Sequence, residues 1–166
     1  FAPACQLNML TDAARSAATT RVNTPQKDQL LDADRLWCDL LSSMPLCFNL
    51  FGPLSGDLDL ARQAVAAWFP DAPGTVSAVH LEWSPGRLDP DYLGNKTAFD
   101  AAIELDLGDG TFGIIGVETK YHEHLHPEDP PAPKRLTRYR EVALKSDVFE
   151  GRAVGELAGD PKQQIW

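Results

Sequence analysis

The chain has 166 residues and a formal net charge of −9, with 24 acidic against 15 basic side chains. That length suits one domain with a real core, and the acidic balance argues against a protein that grips nucleic acid by phosphate neutralisation alone. No run approaches the roughly 20 apolar residues that cross a bilayer, and the opening FAPACQLNMLTDAAR lacks the basic start and long apolar stretch of a secretory signal.

Residues 1–27 are polar, alanine-rich and weakly periodic, and read as an arm or loose helix ahead of a domain over 28–166. From Asp28 the pattern tightens. Leu30, Leu31, Leu36, Trp37, Leu40 and Leu41 recur near helical spacing. That helix is expected to stop before Pro45, since the residue preceding proline is biased away from the α region. MPLCFNLFGPL then reads as a compact apolar segment broken by Gly52 and Pro53.

A second helix is expected after a cap at Ser55 or Asp57, with Leu60, Ala61, Ala64, Val65, Trp68 and Phe69 on one face. PDAPG ends it. TVSAVHLEW alternates and is rich in branched residues, so Val76 to Trp83 is a predicted strand, with His80 a hydrogen-bonded core or edge histidine. SPGRLDPDYLGNK follows, a 13-residue loop long enough to be functional.

The segment FDAAIELDLGDGTFGIIGVETKY reads as a hairpin from about Thr97 to Tyr121. HEHLHPEDPPAPK is a proline-rich break, and RLTRYREVALKSDVF looks helical, with Leu136, Tyr139, Val142 and Leu144 near one side. The order of helix, helix, three strands and helix predicts an α+β fold with a largely antiparallel sheet. The three cysteines, Cys5, Cys38 and Cys47, are odd in number and form no C-x-x-C pair, so reduced thiols in a cytoplasm are expected. Cys38 and Cys47 lie among apolar residues and read as small core hydrophobes.

Charge inside the hairpin is what a plain core hairpin does not need. If Gly108-Asp109-Gly110 is a three-residue loop with Gly110 left-handed, Leu107 pairs with Thr111 and paired positions sum to 218. Asp100 then lies opposite Glu118, on one face, and Lys120 shares that face. A two-residue Asp109-Gly110 loop would send Asp100 to the other side of the sheet from Glu118; the three-residue turn is the expectation. FGIIGV before Glu118 is almost wholly apolar and suggests a strand covered on both faces. Glu104 and Asp106, nearer the turn, read as solvent-facing.

Two opposed carboxylates repel unless a proton or cation lies between them. Mg²⁺, or Mn²⁺, suits one or two carboxylates, a backbone carbonyl such as that of Thr119, and retained waters. Lys120 could then hold the attacking water and stabilise developing negative charge, which is the chemistry of phosphodiester cleavage.

A strand carrying Asp100 in TAFDAAIEL, a short turn, and a strand ending Glu118-Thr119-Lys120 in GIIGVETKY resembles the PD-(D/E)XK nuclease superfamily. Phe99 stands where the name pattern has proline. The resemblance implies a restriction-endonuclease-like αβββαβ core with a mixed, mainly antiparallel sheet flanked by helices. No last core strand is legible before Trp166, so a C-terminally truncated domain is expected. It also implies a Mg²⁺-dependent nuclease, with Asp100 and Glu118 binding metal and Lys120 assisting the water. Some relatives add an acid from a neighbouring strand or the first helix, which Glu82 or, more weakly, Asp39 would match, and many have a later glutamine, which Gln163 or Gln164 would match.

Two alternatives stand beside this reading. One is a binding module that kept the scaffold and no longer cuts. The other is a zinc hydrolase using His122, His124 and His126 of YHEHLH, although a solvated histidine cluster is the plainer account. Lys134, Arg135, Arg138 and Arg140, with Lys145 and Arg152 beyond, form the densest positive stretch and could track a nucleic-acid backbone, DNA above all. No membrane partner is expected, and the sequence is silent on oligomeric state.

Overall fold

The computed structural model describes residues 6–27, 29, 31–121, 132–147, 149–151 and 153–154. They group into two compact units, Phe1–Ser84 with Ala98–Glu123, and Pro85–Thr97 with His124–Trp166. The fold is α+β, as expected. Its elements are α1 (Asp12–Asn23), α2 (Ala33–Cys38), α3 (Ser43–Gly56), α4 (Leu58–Trp68), β1 (Thr75–Trp83), β2 (Phe99–Asp106), β3 (Phe112–Val117) and α5 (Pro133–Ser146). Among the described residues no helix is long and apolar enough to cross a membrane.

The segment expected as an arm or loose helix holds a packed helix. Thr11 caps α1 by accepting from the Ala14 N–H, and Ala14 and Ala18 are fully buried. Alanines leave a shallow groove, and Gly52 of α3 fills it: a Cβ there would lie 3.0 Å from the Ala14 Cα and 3.3 Å from the Ala17 Cβ. Small residues are weak signals of amphipathicity, which is why this face was illegible as a periodic stripe.

The helix expected from Asp28 to Pro45 is two helices. Asp32 opens α2 by accepting from the Arg35 N–H, and Asp39 closes it after six helical residues. The 3.6-residue period lapses there, so Leu40 and Leu41 are exposed rather than on the buried face. Cys38 is exposed as well, whereas Cys47 is buried. Ser42 then caps α3, and Pro45 sits in its first turn, where the missing N–H has no intrahelical acceptor. Pro53 does not break the helix either, which runs on to Gly56.

Asp57 caps α4 through the N–H groups of Asp59 and Leu60, as expected. Ala61 and Val65 are buried, while Leu60, Trp68 and Phe69 are exposed. Phe51, Leu54, Phe48 and Leu36 join them with Val79, Leu81, Ala101, Ile103 and Leu105 in one core.

The sheet is antiparallel in the order β1-β2-β3. Pairs run from Ala101↔Val117 to Asp106↔Phe112, each summing to 218, and the Leu107 N–H donates to the Thr111 carbonyl at 3.2 Å. Both turn glycines, Gly108 and Gly110, have φ of +84°, a region that glycine enters without strain. Asp109 between them accepts from the Thr111 N–H and hydroxyl, which hold its carboxyl below the usual range. Central β2 buries Ala101, Ala102 and Ile103 completely. Among the described residues β3 borders the sheet, and it is half exposed rather than covered on both faces: Phe112 is 61% and Ile114 43% accessible.

In the second unit, Ala143 of α5 is buried, Leu136, Tyr139 and Val142 are half-buried, and Leu144 is exposed. The Arg138 guanidinium donates to the carbonyls of Pro90 and Tyr92 in the loop 84–96 and lies 3.7 Å from Glu141.

The α1–α3 contact generates a paired expectation. Gly52→Val should lower unfolding free energy by about 1–3 kcal/mol through overpacking. Gly56→Ala meets nothing within 4 Å and should raise it by about 0.5–1 kcal/mol. Urea unfolding of both variants checks the contrast.

Candidate functional site

The site is assembled where all three strands have their ends together. Register continuation from Ala101↔Val117 puts Glu118 level with Asp100, and the neighbouring pairs Leu81↔Ala101 and Trp83↔Phe99 put Glu82 level with Asp100 on the other side. Alternation assigns Ala101, Ile103 and Leu105 to the core face; β3 ends at Val117, so the paired ladder stops one position short of Asp100 and Glu118.

Asp100 is held tightly. Its Oδ2 accepts from the Thr119 N–H at 2.7 Å and from the Thr119 hydroxyl at 2.7 Å. Thr119 is only 6% exposed, and its hydroxyl also lies 3.3 Å from the Ser43 carbonyl at the start of α3. One turn along α3, the Cys47 thiol donates to the Asp100 carbonyl at 3.3 Å. Beyond Thr119, the Lys120 ammonium lies 2.6 Å from Glu118 Oε1, both partly exposed. Exposed pairs of this kind add at most about 1 kcal/mol to stability.

Glu82 departs from regular strand geometry, with φ of +51°. A left-handed non-glycine residue costs about 1–2 kcal/mol. Arg21 of α1 donates to the Glu82 carbonyl at 2.9 Å, a charge-assisted bond of about 1.5–3 kcal/mol that can offset it.

The buried Cys47 thiol reports on the electrostatics. Burial first, then the negative charges of Asp100, Glu82 and Glu118, raise its pKa well above the ordinary 9.0. Three carboxylates, from β1, β2 and the residue just past β3, therefore act on one buried atom. Nothing in the sequence pattern singled out Cys47 beyond its apolar neighbours, and Thr119 was read only for its carbonyl.

Asp39 and Glu104 have partners of their own. Asp39 accepts from the Leu41 N–H in an exposed turn. Glu104 is not a solvated charge: it accepts from the Ser77 hydroxyl at 3.0 Å and lies 3.5 Å from His80, which stacks on Trp83. His122, His124, His126, Gln163 and Gln164 lie outside the described residues, as do Cys5 and Arg152. Lys134, Arg135, Arg140 and Lys145 are exposed on α5, while Arg138 is engaged with its carbonyls.

Among the described residues no group of three or more His, Cys, Asp or Glu side chains is gathered closely enough to hold a metal ion. The donor chemistry nevertheless fits a hard divalent cation. It comprises two carboxylates and a peptide carbonyl, all oxygen, and both Thr119 bonds fall on Asp100 Oδ2, so Oδ1 is the oxygen that would be left to coordinate.

A hairpin with this Asp…Glu-x-Lys arrangement on an α+β core is a nuclease scaffold. The family pattern of the PD-(D/E)XK nuclease superfamily matches residues 2–166, and the chain belongs to that superfamily. Searches of curated proteins and of solved structures give no match.

The thiol gives a pH prediction. Unfolded Cys47 ionises as pH passes about 9 while the folded thiol stays protonated, so stability contributed below pH 9 is lost as pH rises through the raised folded value. Urea unfolding from pH 7 to 10.5 should show wild type losing stability relative to Cys47→Ala above pH 9. Parallel profiles would contradict the assignment.

Proposed function

We propose that this chain is a metal-dependent nuclease that hydrolyses phosphodiester bonds of nucleic acid, DNA in the first instance. The reading is supported by the β2–β3 register, which continued one pair past Ala101↔Val117 would bring Glu118 level with Asp100, and by the bonds of Thr119 to Asp100 and of Lys120 to Glu118. An inert scaffold has no use for opposed carboxylates held in this way.

Asp100 and Glu118, with the Thr119 carbonyl, are the residues that would hold Mg²⁺ or Mn²⁺. When bound, the cation polarises a phosphoryl oxygen and favours hydroxide at neutral pH. Lys120 has two tasks. Its ammonium keeps the Glu118 carboxylate in place and donates a hydrogen bond to the attacking water on the same face. As charge builds on the phosphoryl oxygens, the same cation stabilises it. Glu82 adds a third negative charge at the strand ends, and its carboxylate would orient cation-bound water. Lys134, Arg135 and Arg140 are exposed and give this acidic protein a local positive surface for a phosphate backbone.

The test is incubation of purified protein with plasmid and with single-stranded DNA, in Mg²⁺, Mn²⁺ or chelator. Cleavage should require the cation. Lys120→Ala should reduce it by about 10²–10³, the cost of removing one group that stabilises transition-state charge, with an unchanged melting temperature. Asp100→Asn should abolish metal binding. Wild-type cleavage in either variant would remove the mechanism, and a wild-type protein that binds the cation and never cuts would identify an inactive scaffold.

A further inference from the structure

We infer that Thr119 is a positioning residue that fixes how Asp100 meets the cation, an assignment that rests on the nuclease reading above. Thr119 occupies the variable position between Glu118 and Lys120, where a strand emerging into solvent has no need for a buried side chain. Its hydroxyl is nevertheless buried and directed at Asp100 Oδ2, and its own peptide N–H donates to the same oxygen. Two donors on one oxygen fix both the torsion of the carboxylate and the identity of the oxygen left to coordinate.

The hydroxyl has one proton and two acceptors, Asp100 Oδ2 at 2.7 Å and the Ser43 carbonyl at 3.3 Å. The shorter bond, to a carboxylate, takes the proton. Ser43 supplies the fixed wall behind it. Residue 119 is thereby held against the first turn of α3, and α3 holds the other end of Asp100 through Cys47.

A second consequence follows from chemistry within one residue. The carbonyl offered as third ligand belongs to Thr119 itself. The Asp100 carboxylate and that carbonyl are then linked through one residue, whose N–H and hydroxyl hold the carboxylate while its backbone torsions orient the carbonyl. Coordination by Asp100 through one oxygen, with waters completing the shell, is what a small hard cation favours. A carboxylate released from Thr119 can swing to present both oxygens or turn away.

The experiment compares Thr119→Val, Thr119→Ala and Thr119→Ser by Mn²⁺ binding, read from the electron paramagnetic resonance of the unbound ion, with thermal melts alongside. Losing a hydrogen bond to a charged acceptor should weaken Mn²⁺ binding about tenfold in the Val and Ala variants. Serine keeps the donor and should restore binding to within about twofold. If Val does not melt cooperatively, Ala against Ser decides. Unchanged Mn²⁺ affinity in folded Val or Ala protein would overturn the assignment while leaving the nuclease reading intact. Equal weakening in Ser and Ala would reduce Thr119 to a packing residue and overturn it too. Wild-type protein that binds no Mn²⁺ would overturn this assignment together with the reading beneath it.

Discussion

The alignment of β2 against β3 is the constraint on which the rest of the structure depends. Side chains on a strand alternate with a period of two, so a slip of one residue would move Asp100 to the core face and Ala101 out of it. The turn prevents the slip. Gly108 and Gly110 both take left-handed backbone angles, and Thr111 closes the loop onto Leu107 and Asp109. A loop three residues long and an apolar face of Ala101, Ile103 and Leu105 specify the same pairing. Local and global preferences agree, and that agreement defines a single register.

Helix α3 turns that alignment into a site. Its first residues carry no charge, yet the Ser43 carbonyl meets the Thr119 hydroxyl and the Cys47 thiol meets the Asp100 carbonyl. Both contacts use neutral groups beneath a cluster of carboxylates. A thiol suits that place because it stays protonated: burial and three negative charges all disfavour the thiolate. The helix is tied in turn to α1 by the close approach at Gly52, and α1 sends Arg21 to the left-handed Glu82. The N-terminal helix therefore shapes the third carboxylate although it contributes none.

Much of this was legible in the sequence, for reasons that separate cleanly. The hairpin, its register, β1 and the cap of α4 were readable because turn glycines, alternation and an Asp cap act over a few residues. The burial of α1 was not, because alanine and glycine faces carry little hydrophobic contrast. The break between α2 and α3 was hidden by continuous apolar character, and Pro45 was misread since proline stops a helix only where its N–H is needed. At the site, Asp100, Glu118 and Lys120 announced themselves as charge in an apolar hairpin. Thr119 and Cys47 did not, because their roles arise from contacts made across 76 and 53 positions of sequence.

The acidic balance of the chain and a polyanionic substrate are reconciled only if carboxylates are neutralised where the backbone must approach. In the proposed function a divalent cation on Asp100 and Glu118 would do this at the point of chemistry, and the exposed basic residues of α5 would meet further phosphates. The most direct measurement is anomalous diffraction from crystals soaked in Mn²⁺. The account predicts one peak about 2.1 Å from oxygens of Asp100, Glu118 and the Thr119 carbonyl. A peak bound elsewhere, with the carboxylates of Asp100 and Glu118 diverging, would contradict it.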